Sequence, residues 1–450
     1  MIVVPQSFSQ PGFRLLQSAL ALALISVCAT CSAPDLPKPS VVLIVIDTIR
    51  ADALGCYGYG VETTPNIDAF SSGGMLFSRA IAASPWTGPS VASLTTGLYP
   101  DELGVREFEQ PLPRDTTTLA ELLQGHGWRT GAVVSNGYVA PIFGHDQGYD
   151  TFWKKEYTGD DATKKTPVAT ADLITDVALS WIETNTEPFY LYVHYTDPHD
   201  PYWPPEDWRL RFGADPETID ETMMRREGAL SRDLTHADVA LMRSMYDASI
   251  AFMDQEIGRF LENLPSDTIV VIVGDHGEEF VDHGGLFHGH TLYEELVRVP
   301  LLVRGPGVKT GASDRLVSHV DVTPTILDML RVPIPKNMSG SSFRRALSGK
   351  RMRTRSPALS VREFEGARVV SARTNEWKLI YAGPGNMALF DLAGDPGERI
   401  NLARKQPEVT DELVDVVLKH AEGVREAPEP DVDELNEERL QKLRSLGYVN

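Results

Sequence analysis

From Val41 onward the chain alternates continuous apolar runs with amphipathic stretches. The runs are VVLIVI (41–46), GAVV (131–134), FYLYVHY (189–195), TIVVIV (268–273) and VPLLV (299–303). Each is short, rich in β-branched or aromatic residues and bounded by Gly, Pro or Asp, which predicts strands buried on both faces. Helical patterns lie between them. Thr64-Pro65 supplies an N-cap and first-turn proline before 66–72, and Thr118 opens LAELLQ, which stops at Gly125. Over 239–264 apolar residues recur at 242, 246, 250, 253, 257, 260/261 and 264. That spacing makes Met242 and Met253 core residues of one long helix. Alternating strands and helices predict an α/β domain over 41–345, with a mostly parallel central sheet and helices on both faces.

The pattern changes after residue 350. RVVSARTNEWKLIYAGPGNMALFDL (368–392) breaks into short strand-like pieces at Gly, Asn and Pro, predicting a small antiparallel sheet within 350–425. An acidic, proline-containing linker follows from 426, then a terminal helix over 433–446.

The first 40 residues are read as targeting rather than fold. Arg14 precedes a thirteen-residue apolar run (15–27), shorter than the about 20 residues a bilayer span needs. It has the length of a signal-peptide core. Small residues follow, including Cys28 and Cys31, then a Pro-rich linker over 34–40. Two readings stay open for 1–33: a cleaved signal peptide, or a lipoprotein signal whose lipidated Cys28 or Cys31 tethers the chain to the membrane. Either way the protein is expected to be exported, to the periplasm or the cell envelope. Beyond that segment only Cys56 remains, so no disulfide framework is available. With 42 Lys plus Arg against 63 Asp plus Glu, the net charge of −21 repels phosphate backbones and argues against nucleic acid as a partner.

Three of the buried runs end in acidic or imidazole groups. VVLIVI meets Asp47, FYLYVHY leads into Asp197-Pro198-His199, and TIVVIVG meets Asp275-His276. Ligand sites of open parallel sheets lie at the carboxyl ends of the strands, and carboxylate with imidazole is a divalent-metal donor set. His288 sits in a Gly-rich loop with His283 and His290, which on their own read as solvent-exposed loop residues. Thr87 lies between Trp86 and Gly88-Pro89, before a helix-like VASLTTG. Taken alone it reads as an N-cap, at a position that favours an anion. His319 and Asp321, ahead of Thr323-Pro324, read as structural.

Eight stretches in order resemble the sulfatase family of the alkaline-phosphatase superfamily. They include VVLIVIDTIRADALGCYG (41–58), SPWTGPSVASLTTGLYP (84–100), HYTDPHDPYWPP (194–205), GDHGEEFVDHG (274–284) and ALFDLAGDPGERINLA (388–403). The resemblance implies a large sulfatase-like α/β domain and a small C-terminal domain with a four-stranded antiparallel sheet. It implies Asp47, Asp275 and His276 as ligands of a divalent metal (Ca, Mn, Zn or Mg, one ion or two). Thr87 stands at the nucleophile position, where its oxygen also contacts the metal. His199 and His288 stand where groups bind the ester's anionic oxygens, protonate the leaving group or hold a second metal.

The departures from the family bear on substrate. Sulfatases carry Cys or Ser in Cys-x-Pro-x-Arg, oxidised to formylglycine; here the stretch is Thr87-Gly88-Pro89-Ser90-Val91. The family's paired aspartates are Asp47-Thr48, and its Lys and His after the fourth helix are replaced by Ser135-Asn136-Gly137. A formylglycine hydrate expels sulfate by collapsing to the aldehyde, whereas a threonine ester must be broken by a second in-line attack, which suits phosphoryl transfer. The expected activity is hydrolysis of an anionic phosphate mono- or diester, small-molecule, glycan or lipid. The alternatives are a sulfuric ester hydrolase without formylglycine, a phospho-group transferase, and a non-catalytic anion- or glycan-binding protein.

Overall fold

The computed structural model describes residues 38–425 except 108–109, 156–169, 186–187, 214–218, 353–356 and 365. The predicted signal segment with Cys28 and Cys31, most of the linker after it, and the predicted terminal helix lie outside the described residues.

The main sheet runs in the order β11-β2-β10-β6-β1-β5-β3-β4, with β9 paired to β2. Its central strands are β1 (Val41–Ile46), β3 (Arg129–Val134), β5 (Phe189–Tyr195) and β6 (Ile269–Gly274), all parallel, with β4 (Thr151–Lys154) at one edge. The other side holds β2 (Met75–Ile81), β9 (Arg298–Val299), β10 (Leu301–Arg304) and β11 (Gly311–Ser318). β10 runs antiparallel to both β2 and β6.

β1 shows why the runs read as doubly buried. Val41, Leu43 and Val45 enter one core with Val91 and Leu94 of helix α2 (Thr87–Thr96). Val42, Ile44 and Ile46 enter the other, with Ile174 of α4 (Ala171–Thr184) and Met242 and Met253 of α5 (His236–Glu262). Each such aliphatic side chain contributes about 1.5–3 kcal/mol by leaving water. α1 (Pro65–Ser72) and α3 (Leu119–Gly125) begin at the prolines and threonines expected of them. Thr118 and Glu121 form a reciprocal capping box, while the Thr64 hydroxyl accepts instead from the Gly55 amide.

The structure adds three strands to the main sheet and a separate two-stranded ribbon, β7 (Glu279–Phe280) with β8 (Leu286–Phe287), and corrects two details. β2, β4 and β11 escape the pattern because β4 is only four residues long and half-buried, the start of β11 is polar and exposed, and β2 is interrupted by Ser78-Arg79. VPLLV is two strands, broken at Pro300, whose ring leaves no N–H for a ladder. α6 is Val322–Leu330, so Thr323-Pro324 falls inside its first turn rather than at the cap. First-turn amides have no helical partner, so proline costs little there.

The C-terminal sheet is antiparallel in the order β12 (Ala358–Phe364), β13 (Ala367–Arg373), β14 (Trp377–Tyr381), β15 (Met387–Asp391). Helix α7 (Pro407–Ala421) lays Leu413 and Val417 against Leu359, Val370 and Leu379. The sheet is tied to the main domain through Val361 N–H to Ala83 O (2.8 Å) and Ser360 Oγ to Ala82 O (2.7 Å). A buried Lys378 ammonium between Glu294 (3.2 Å) and Glu398 (2.9 Å) adds a third tie.

Candidate active site

The sheet's hydrogen bonding continues one residue beyond β1 and β6. Asp47 N–H donates to Tyr195 O (2.9 Å) and Asp275 N–H to Ile46 O (3.1 Å), which sets the two aspartates side by side at the carboxyl end of the sheet. Thr48 then turns into the left-handed region (φ 51°). Its amide donates to Asp275 Oδ1 (3.0 Å), and the His276 amide donates to the same oxygen (2.6 Å). Asp47 Oδ2 accepts from Asn136 Nδ2 at 2.6 Å, with His194 Nε2 at 3.6 Å.

One oxygen of each aspartate is thereby engaged. The other two, Asp47 Oδ1 and Asp275 Oδ2, are buried without a partner. His276 Nε2 lies 3.8 Å from the first, 3.6 Å from the second and 3.2 Å from Thr87 Oγ1. Because His276 Nδ1 faces the Gly277 carbonyl (3.0 Å), it carries the proton, and Nε2 turns its lone pair into the site. Burial pushes the His276 imidazole down to about 4, so it is neutral at pH 7. Burial and the Asp47 charge hold Asp275 well above the ordinary carboxyl range. Burial works against Asp47 ionising, but the neighbouring imidazoles of His194, His199 and His276 bring it below its ordinary value. Two buried oxygens without partners beside a neutral nitrogen and a hydroxyl are costly alone and form a donor set for one divalent cation. The ligand atoms of Asp47, Asp275 and His276 all lie within 4.8 Å of one another, so the residues fit the expected metal.

Thr87 is the first residue of α2, with Trp86 at the cap, so its side chain does not cap the helix and instead donates to His276 Nε2. Ser90, one turn on, donates to Asp275 O (2.5 Å) and lies 2.9 Å from His319 Nδ1; His319 Nε2 donates to Gly274 O (2.9 Å). Ser90 and His319 thus bind the helix start to the end of β6.

The opposite wall comes from loops. His199 Nδ1 donates to Asp200 O (2.6 Å), and His288 packs between His276 and His199 with ring centroids 4.6 and 4.9 Å away. His288 Nδ1 meets Glu278 Oε1 at 2.9 Å, while Arg226 Nη2 donates to His288 Nε2 at 3.2 Å. The two imidazoles diverge. Burial disfavours charge on His199, but Asp200 and Asp47 raise it above its ordinary value; burial and then Arg226 push His288 well below it.

All six candidate residues therefore meet in one place. His283 and His290 do not join them, and neither is a free loop residue. His283 Nδ1 lies 2.6 Å from Glu295, with its ring stacked on Tyr293, and His290 Nε2 lies 2.7 Å from Glu279. Asn136, His194, Glu278 and Arg226 are near the site without having been singled out as site residues. His194 is hidden inside an apolar run, and Arg226 in the charged stretch RREG that reads as a solvated face.

A family model for sulfatases matches residues 39–332, and one for the C-terminal region of N-sulphoglucosamine sulphohydrolase matches 282–423. The chain belongs to the sulfatase family. As such it is a metal-dependent ester hydrolase of the alkaline-phosphatase superfamily. Among curated relatives, arylsulfatase K of Bos taurus is 28% identical over 84% of this chain and 81% of its own length. N-acetylglucosamine-6-O-sulfatase of Bacteroides thetaiotaomicron is 26% identical over 89% of this chain and 90% of its own. The fold is shared with the phosphonate monoester hydrolase of Agrobacterium radiobacter (TM-score 0.73, 21% identity, covering 87% of this chain and 97% of that one). It is shared equally with a protein solved in complex with its substrate D-glucosamine-2-N,6-O-disulfate (TM-score 0.72, 21% identity, 88% and 99% covered).

Proposed function

We propose that this sulfatase-family chain is an exported hydrolase that cleaves a phosphate mono- or diester through Thr87. The observation that carries the reading is the Thr87 hydroxyl donating to His276 Nε2 beside two unpartnered carboxylate oxygens. Asp47, Asp275, His276 and the Thr87 oxygen would hold a divalent ion, whose charge would lower the hydroxyl's pKa and offset that of the ester oxygens. With its proton released to solvent, Thr87 Oγ1 attacks phosphorus in line and the bond to the leaving oxygen breaks. The leaving alcohol takes a proton from His199 Nε2, since Nδ1 is committed to Asp200 O. Water attacks the phosphothreonine from the vacated side, gives a proton back to His199, and breaks the bond to Oγ1, which restores the deprotonated Thr87 and frees phosphate, or a phosphate monoester when the substrate is a diester. The raised His199 suits the acid of this step. Export rests on the apolar segment over 15–27 followed by small residues.

A sulfate ester is the second reading, favoured by relatives named as sulfatases. Steady-state turnover of nitrophenyl phosphate, bis-nitrophenyl phosphate and nitrophenyl sulfate by the metal-loaded protein separates the two. We expect phosphate-ester turnover, falling ~10³-fold or more in Thr87→Ala. Turnover of the sulfate ester alone would overturn the phosphate preference, and undiminished turnover in Thr87→Ala would overturn the nucleophile.

A further inference from the structure

The charge balance of the site points to a recognition group on the loop wall. Asp47, Asp275 and Asp200 belong to the two donor clusters beside which an anion has to sit, so a bound divalent ion does not act on that anion unopposed. Arg226 is the guanidinium that acts electrostatically on this group: its charge is felt by His199, His276, His288 and Glu278. It reaches them from a five-residue helix, Arg226–Leu230, in the stretch between β5 and α5.

The surroundings of Arg226 are unusual for an arginine so placed. No carboxylate among the described residues pairs with the guanidinium. Its hydrogen bonds all go to His288, at 3.2 Å to Nε2 and at 3.4 and 3.5 Å to the carbonyl oxygen. These use two of its three nitrogens at long range, out of five N–H donors. The head lies against the rings of Phe287 (5.0 Å) and Trp86 (5.8 Å), the residue just before Thr87. Its backbone is tied down by Arg226 N–H to Asp200 Oδ2 (3.3 Å). A half-buried guanidinium, oriented by aromatic faces and linked to the reacting hydroxyl through His288 and His276, is presented to a planar or tetrahedral oxyanion.

His199, Asp200 and His288 also form a cluster that could attract a second cation. His288 argues against this. Its Nδ1 is committed to Glu278 and its Nε2 already accepts from Arg226, so a metal there would have to displace the guanidinium and sit against its charge.

We propose that Arg226 binds the non-bridging oxygens of the ester, serving in place of a second metal ion as the cation of the loop wall. His288, held by Glu278, is the positioning residue that aims it. This assignment rests on the reading of the chain as a hydrolase of anionic esters.

The test is direct binding of inorganic phosphate to Mn²⁺-loaded wild type, Arg226→Ala and Arg226→Lys by calorimetry, with metal content measured on each, and KM and kcat for nitrophenyl phosphate alongside. We expect one metal per chain in all three. Phosphate affinity should fall at least ~10-fold in Arg226→Ala, with partial recovery in Arg226→Lys, and kcat/KM should fall ~10²-fold. Unchanged phosphate affinity with metal retained would overturn the proposal, as would loss of metal in Arg226→Ala with retention in Arg226→Lys, which would mark a structural role. A second metal equivalent in wild type would also overturn it. Thr87→Ala, run in parallel, keeps the two readings separate: it should bind phosphate while losing turnover, whatever Arg226→Ala does.

Discussion

The two walls of this site are made by different means. One is built from strand ends: Asp47 and Asp275 extend hydrogen-bonded ladders, and Thr87 starts a helix whose residues are all buried. The other is built from loop residues, His199, Asp200, Arg226 and His288, that hold one another through contacts of 2.6–3.5 Å. The first wall has no freedom to choose what it holds, because the sheet sets its atoms before any ligand arrives. The second is a surface whose composition can change without disturbing the sheet. Under the proposed function, metal chemistry belongs to the frame and choice of ester to the loops.

The strongest way to break this contrast is to alter the frame. Asp275→Asn keeps the oxygen that accepts from the Thr48 and His276 amides but removes the charge of the unpartnered one. We expect loss of stoichiometric metal and a ~10³-fold or greater fall in activity. The metal-free variant should be more stable than metal-free wild type by about 1–3 kcal/mol at neutral pH, since a neutral amide replaces a carboxyl that burial and the Asp47 charge make costly to ionise. Equal metal content in the two proteins would show that the strand ends do not hold the ion.

A subtler probe is Asn136→Ala, which deletes the 2.6 Å donor to Asp47 Oδ2 and touches no proposed ligand atom. Removing such an outer partner should weaken metal affinity about 10–100-fold in chelator competition. An unchanged affinity would mean that Asp47 is oriented by the sheet alone.

The smallest effect concerns the root of the loop wall. Asp197, two residues before His199, accepts from the Ala171 amide at the start of α4, and its second oxygen is buried without a partner. Burial, opposed by that amide, raises its pKa from 3.8 to about 7. A carboxyl raised on folding contributes stability that is fully present below its unfolded pKa and is lost as pH rises through the folded one. Wild type should therefore lose of order 2–4 kcal/mol between about pH 4 and 7 from this group. Asp197→Asn should flatten that slope in denaturant melts, and an identical slope in both proteins would remove Asp197 as its source.

The same division explains what the sequence discloses. A strand buried on both faces announces itself as an unbroken apolar run, and its end is marked by the first polar residue, so Asp47, Asp275 and His276 stand out. Thr87 and His288 needed the family resemblance as well, because a threonine ahead of Gly-Pro or a histidine in a glycine-rich loop has ordinary uses. Arg226 gave no pattern to find, and Asn136 stood out only within a stretch that departs from the family's Lys and His. Their importance comes from tertiary placement: Asn136 reaches Asp47 across 89 residues and Arg226 reaches His288 across 62. His194 hid for the opposite reason, being buried in β5 like the valine and tyrosine beside it. The edge strands were missed for two reasons: the four residues of β4 are too few to show a period, and the exposed polar start of β11 lacks the burial that produces one.

The central position of β1 also has a consequence in time. Its neighbours are β5 and β6, and the bond from Thr48 to Asp275 joins residues 227 positions apart. While the chain emerges from the ribosome, Asp47 is present long before the aspartate and imidazole that complete its donor set. Pairings so distant form late in folding, so the cation has nowhere to settle until the sheet has closed. Loading is a maturation step that follows folding, in whichever compartment the chain finishes it.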